Sequence, residues 1–134
     1  MSKSLKPTAQ ESDFREKRKT CKRYNFVGDA HAITFSCFQR RPFLNRDRTR
    51  LWFLESLHDA RRALSFEVWA YVIMPEHAHL LIYPFEKEYS ISDILMAIKR
   101  PVARRAIRFV QTSAPDFLEQ MRDTQPNGKT RHRF

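Results

Sequence analysis

YVIMPEHAHLLIYP, residues Tyr71 to Pro84, sets two histidines two residues apart at the start of an apolar run, directly after a turn built on Pro75. Upstream, FEVWAYVIM has the β-branched and aromatic content of a strand, and HAHLLIY reads as a second strand. Only Pro75 and Glu76 separate Met74 from His77, so the two strands are expected to form a hairpin, with proline presetting φ for the turn. Side chains alternate across a strand. His77, His79, Leu81 and Tyr83 therefore share one face, and Ala78, Leu80 and Ile82 the other. If Met74 pairs with His77, Ile73 faces Ala78 and Tyr71 faces Leu80. Trp69, Tyr71 and Ile73 then belong to the helix-facing core, and Val68, Ala70, Val72 and Met74 accompany the histidines on an open face.

Outward from the hairpin, HAITFSCF alternates Ile33, Phe35 and Cys37 with Ala32, Thr34 and Ser36 and predicts a further strand. Residues 48–64 space Leu51, Phe53, Leu54, Leu57 and Leu64 as an amphipathic helix, capped by Asn45 or Asp47. SISDILMAIKRPVARRAIRFVQ predicts a second helix, capped by Ser90 or Ser92 and broken or kinked at Pro101. APDFLEQMRD suggests a short last helix, and Asn127-Gly128 a turn in the polar tail. The order strand, helix, strand, strand, helix points to an α+β fold, a ferredoxin-like (RRM-like) antiparallel sheet with helices on one face. A fourth strand completing that unit has one weak candidate, residues 129–134. The expected organisation is a basic flexible arm over 1–24, a domain over 25–125 and a basic tail over 126–134.

The chain has 134 residues, enough for one core, and 11 phenylalanines to fill it. Twenty-five lysines and arginines oppose 15 acidic residues, a net charge of +10. A polyanionic partner is the natural reading, nucleic acid before membrane, with a merely soluble basic surface as the alternative. No apolar run is long enough to span a bilayer, and the N-terminus lacks the core of a signal peptide, so a cytoplasmic location is expected. Cys21 and Cys37 make no disulfide framework and read as free thiols. Two glycines, Gly28 and Gly128, exclude a Gly-rich phosphate loop.

Two imidazoles on one strand face, about 6–7 Å apart at Cα, can converge on one divalent ion. A histidine pair alone binds weakly and needs a further ligand. Glu76 is adjacent in sequence, with the turn deciding its aim. Two surface or half-buried histidines without a metal are the alternative that so short a pattern leaves open. Leu81 argues against a nucleotide hydrolase of the three-histidine H-x-H-x-H type.

VIMPEHAHLLIYP, preceded by HAITFSCFQRRPFL and followed by ISDILMAIKRPVARRA, resembles the HUH-type tyrosine transposases. These are the single-strand insertion-sequence transposases and the REP-associated tyrosine transposases. The resemblance spans roughly residues 25 to 125 and rests above all on the Met-Pro-x-His-hydrophobic-His-Leu-Leu block. It implies cleavage and rejoining of single-stranded or hairpin DNA during transposition, a ferredoxin-like fold, and Mg2+ or Mn2+ held by His77 and His79. In the family a tyrosine attacks the metal-polarised phosphate and forms a 5′-phosphotyrosine. Members often dimerise, so a homodimer is among the expectations. Glu76 stands where the family often has Asn or Asp. The family's nucleophilic tyrosine lies on a helix beyond the second main one, which also supplies a third metal ligand. Tyr24, Tyr71, Tyr83 and Tyr89 all fall outside that place. The resemblance thus implies a chain truncated before its tyrosine helix, with no catalytic residue of its own and inactive alone. The alternative is a non-catalytic remnant that binds DNA hairpins.

Five cations with no acidic neighbour, Lys99, Arg100, Arg104, Arg105 and Arg108, occupy one stretch of the second helix. Arg100, Arg104 and Arg108 make a stripe able to follow a phosphate backbone if the helix survives Pro101, or else a solvated face. Arg40 and Arg41, after the first strand, are further DNA-binding candidates. An RNA binder of RRM type would want paired aromatics on the open sheet face. Phe35 and Tyr83 are the candidates for that, and no RNP motif accompanies them.

Overall fold

The strand that begins with the histidines is the centre of the sheet. In the computed structural model, which describes residues 25–134, β1 (His31–Ser36) and β2 (Phe66–Ile73) flank β3 (His77–Pro84), in the order β1-β3-β2, antiparallel throughout. The expected arm of residues 1–24, with Cys21 and Tyr24, lies outside the described residues. Between β1 and β2 runs helix α1 (Asp47–Ala63), and after β3 helix α2 (Ile91–Ser113). A 3-10 turn at Pro115–Met121 leads to a small hairpin, β4 (Arg122–Thr124) and β5 (Thr130–His132). This is the expected α+β, ferredoxin-like layering, with both helices over one face of the sheet.

The core forms where the periodicities meet. Helix α1 buries Phe53, Ser56, Leu57 and Ala60, an i, i+3, i+4, i+7 stripe, and α2 buries Ile91, Ile94, Leu95, Ile98, Val102, Ala106 and Val110. Ala78, Leu80 and Ile82 of β3 meet them from the sheet. Ile33 and Phe35 pack on the same side, Phe35 against Phe53 at 5.4 Å between ring centroids. Phe35 therefore belongs to the helix side and is no open-face aromatic.

Several expectations are corrected. Neither Asn45 nor Asp47 caps α1. Arg46 holds the N-cap position without a side-chain bond, and Thr49 turns its hydroxyl back to the Arg46 carbonyl at 2.8 Å. Asp47 instead sits in the first turn, where a negative charge meets the helix dipole favourably. Ser90, not Ser92, caps α2, accepting from the Asp93 backbone N–H at 3.3 Å. Pro101 does not break α2. Proline removes the donor that the Ala97 carbonyl would use. Ser56 of α1, the one buried polar side chain among the described residues, puts its hydroxyl 3.4 Å from that carbonyl and donates to the Ile98 carbonyl at 2.6 Å. The neighbouring helix repairs what proline removes, and α2 runs on.

The hairpin pairs as expected at its turn: Met74 N–H donates to the His77 carbonyl at 2.8 Å, and Ile73 and Tyr71 face Ala78 and Leu80. The register then slips between Val68 and Ala70. Val68 opposite Ile82 packs against the core, and Trp69 becomes the extra residue of a β-bulge. Trp69 accordingly leaves the core and stacks on Tyr83 of the open face. Tyr71 keeps the helix-side parity but is half exposed, because β2 is an edge strand. The tail supplies a strand, yet not the fourth strand of the main sheet. Thr130–His132 pairs with Arg122–Thr124 across the Asn127-Gly128 turn, where Gly128 takes φ 78°. Asp123 anchors this hairpin by accepting from Arg131 at 3.0 Å and Gln125 at 2.7 Å. Phe134 then docks on Phe43 at 5.5 Å, and the competition for the 129–134 segment goes to local pairing plus this aromatic anchor.

Candidate metal centre

The hairpin turn delivers His77 and His79, and the segment after β1 clamps that turn. Cys37 N–H donates to the Glu76 carbonyl and Leu44 N–H to the Pro75 carbonyl, each at 2.9 Å. Between those two bonds the chain makes a tight reversal, with Gln39 and Arg40 both at positive φ, 53° and 54°. A non-glycine residue rarely adopts that region, so the loop shape is over-determined by its two anchors. The reversal carries Arg40 and Arg41 at the histidine end of the sheet. Arg41 Nε donates to the Gln39 side chain at 3.2 Å. Cys37, buried beneath, is a free thiol, and burial pushes its pKa up, which disfavours the thiolate a metal needs.

The two imidazoles lie on the same face, ring centroids 4.7 Å apart and planes nearly perpendicular at 89°. Each has one nitrogen engaged. His77 Nδ1 is 3.1 Å from Glu76 Oε1, and His79 Nδ1 is 2.8 Å from Thr34 Oγ1 across the β1–β3 ladder. An ionised carboxylate only accepts, so the His77 proton sits on Nδ1 and the Nε2 lone pair is left for a ligand. The Thr34 hydroxyl can donate or accept, so this contact holds the second ring in place without choosing its tautomer. Engagement of Nδ1 by a carboxylate or hydroxyl is how metal-binding histidines are commonly oriented. The pair therefore fits as two nitrogen ligands of a divalent ion. Glu76 serves as the partner of His77 rather than as the further ligand, and no cluster of three or more His, Cys, Asp or Glu side chains suited to an ion occurs among the described residues. An ion held there would need further donors from beyond these side chains, and oxygens from water or substrate would suit Mg2+ or Mn2+.

The basic candidates divide between two sides of the molecule. Arg100, Arg104 and Arg108 lie exposed along the unbroken α2, on the surface turned away from its buried stripe and so away from the histidine face. Arg105 is paired with Glu55 of α1 and covers the Trp52 ring at 5.2 Å, so much of its charge is used between the helices. Lys99 reaches over the Phe35 ring at 5.6 Å, beneath the end of β1 on the helix side. Arg40 and Arg41 lie on the segment that clamps the histidine turn, where Arg133 also reaches over the Phe38 ring at 5.2 Å.

No tyrosine among the described residues stands beside the histidines. Tyr83 shares their face but lies about 13 Å along β3 from His79. Tyr71 keeps the helix-side parity opposite Leu80 and is half exposed at the sheet edge. The Tyr89 hydroxyl bonds the Phe26 carbonyl at 2.5 Å and His31 at 2.7 Å, beyond the opposite end of the strand. Thr34 and Trp69 are not singled out as contributors by the sequence, which offers Glu76 as a candidate ligand rather than as the partner of His77. Alternation sets Thr34 on the face opposite Phe35, but which of the two faces is open, and the pairing of Thr34 with His79, depend on inter-strand register.

The model of the IS200-like transposases matches residues 27–119, well over half of the chain. Two solved structures are similar in fold. One is a REP-associated tyrosine transposase bound to a REP hairpin, at 23% identity and TM-score 0.54, covering 61% of this chain and 49% of that one. The other is a protein of Deinococcus radiodurans R1 assigned by inference as a transposase, at 23% identity and TM-score 0.52, covering 82% of this chain and 75% of that one. The chain thus spans about half the length of the first of these. No curated protein matches it. Among the described residues no helix is long and apolar enough to cross a membrane.

Proposed function

The chain belongs to the IS200-like transposase family of HUH type, and from that membership we propose that it acts on single-stranded or hairpin DNA in transposition, with His77 and His79 at the scissile phosphate. The observation that carries this reading is the oriented histidine pair on the open face of the sheet, with Nδ1 of each ring hydrogen-bonded to a neighbouring side chain. Mg2+ or Mn2+ held there supplies Lewis-acid polarisation of a phosphate oxygen. Glu76 and Thr34 keep the rings in their ligating orientation. Arg40 and Arg41, at the same end, attract the flanking phosphates. The Arg100, Arg104 and Arg108 stripe engages backbone on the other side of the molecule. The attacking hydroxyl comes from outside the described residues, since Tyr71, Tyr83 and Tyr89 are each directed elsewhere.

A second reading, a hairpin-binding module without catalysis, is favoured by that same lack of a tyrosine beside the histidines. One experiment separates the two. The chain is incubated with labelled single-stranded hairpin DNA with and without Mn2+, and binding and covalent adducts are followed. The expected result is salt-sensitive binding, strengthened by Mn2+ through His77 and His79, without an adduct. Binding that is indifferent to Mn2+ and to His77→Ala with His79→Ala favours the module. No binding at low salt sinks both readings. An adduct on this chain overturns the placement of the nucleophile and directs attention to its four tyrosines.

A further inference from the structure

The open face that carries the histidines has a second feature at its far end. The Trp69 indole lies flat on the Tyr83 ring, centroids 5.1 Å apart and planes within 9° of parallel. Phe85 meets Tyr83 edge-on at 5.9 Å. Trp69 and Phe85 are 54% and 55% exposed, a large apolar surface to leave in water. Two local devices hold the indole in place. The bulge between Val68 and Ala70 adds one residue to β2 and frees Trp69 from the alternation that would send it to the core. Glu67 then accepts from the indole Nε1–H at 2.8 Å. With the N–H engaged and one face on Tyr83, the ring is fixed and its outer face is available.

We propose that the outer face of Trp69, backed by Tyr83, is a nucleobase-stacking site for single-stranded DNA crossing the open sheet face. The inference rests on the single-strand reading above and adds a subsite to it. The site lies on the histidine face, about 13 Å along β3 from His79, so one short stretch of strand reaches both. The Glu67 carboxylate at the rim repels phosphate and leaves the flat apolar base as the group that covers the indole. The net charge of +10 draws a polyanion rather than a basic or neutral partner. Stacking is tolerant of base identity because every base has a π-face, so the site grips the strand without reading it.

The test compares a short oligothymidylate with an abasic strand of equal length, which keeps the phosphates and lacks the bases. Trp69→Ala is expected to weaken oligothymidylate binding by about five- to a hundredfold. Binding of the abasic strand stays unchanged, and Trp69→Phe recovers most of the loss. In a Trp52→Phe background the remaining indole fluorescence is quenched by oligothymidylate but not by the abasic strand. Oligothymidylate affinity indifferent to Trp69→Ala overturns the stacking site while leaving the single-strand reading intact. Equal losses for both strands, or a matching fall in the thermal midpoint, also overturn it, as a structural role. Conversion of a dimer to a monomer by Trp69→Ala assigns the surface to a second copy instead. If the unaltered protein binds neither strand at low salt, the single-strand reading fails and the stacking site with it.

Discussion

Thr34 and Glu76 each occupy one ring nitrogen of the histidine pair, and neither is itself placed as a ligand. Such partners set ring orientation and basicity, and their removal typically lowers metal affinity by roughly 10–100-fold. Thr34→Val is therefore expected to weaken Mn2+ binding by about that factor, measured by titration calorimetry or by the loss of the free-ion resonance signal. Thr34 is exposed, so the thermal midpoint of the metal-free protein should not move. Unchanged Mn2+ affinity would show that the 2.8 Å contact does not orient His79. His77→Ala with His79→Ala should abolish Mn2+ binding altogether. The histidines themselves were readable from two-residue spacing on a strand. Their partners were not equally readable: Glu76 is a sequence neighbour, whereas Thr34 is 45 residues away and meets His79 only through the ladder.

Helix α2 shows how an element can survive a residue that should end it. Local propensity expects a break or kink at Pro101, and in an isolated peptide that expectation has a sound basis. The Ser56 hydroxyl from α1 lies against the two carbonyls at the defect. Ser56→Ala leaves those carbonyls buried with less compensation and should cost about 1–3 kcal/mol of stability, read from urea unfolding. Pro101→Ala restores the missing backbone donor, so the same Ser56→Ala change should cost less in that background. Equal losses in both backgrounds would mean that Ser56 acts only through packing. The β4–β5 hairpin makes a separate prediction. The Arg131 guanidinium beside Asp123, followed by Arg133, holds the Asp123 carboxyl below its ordinary value. A carboxyl depressed in the folded state stabilises above its unfolded pKa and loses that contribution as pH falls through the folded one. Backbone amides of residues 122–132 should thus become less protected from exchange in acid, and Asp123→Asn should remove this pH dependence.

At the scale of the molecule, the two-layer fold sorts the cations. The histidines, Trp69 and Tyr83 lie on the open sheet face, whereas the Arg100, Arg104 and Arg108 stripe lies on the outer side of the helix layer. On the proposed binding mode, a short single strand on the open face would not reach that stripe, whereas a longer hairpin that wraps the domain would. Changing all three arginines to serine should leave oligothymidylate and Mn2+ binding unaltered. For a hairpin, the salt dependence of binding should fall by about one unit of slope for each phosphate that is no longer neutralised. An equal fall for both DNAs would place the stripe in the path of the single strand. No change for either would make the stripe a solvated helix face.

Within each element, the order of residues carried the type of structure and part of its facing. Period-two alternation set His77 and His79 on one face, Pro75-Glu76 set the hairpin turn, helical spacing set Phe53 and Leu57 in the buried stripe of α1 but also offered Leu51, which is exposed, and the basic excess pointed to a polyanionic partner. These depend on neighbours a few residues apart, so the pattern carries them wherever the segment sits. Other features came only with packing. The bulge that moves Trp69 to the open face, the Thr34–His79 contact, the Ser56 hydroxyl at the Pro101 defect, and the pairing of β5 with β4 all join partners by register or by contact between elements. A local pattern is blind to such partners. A one-residue slip in a strand reverses which face every later side chain occupies, and only the competition among all the packed elements decides where that slip falls.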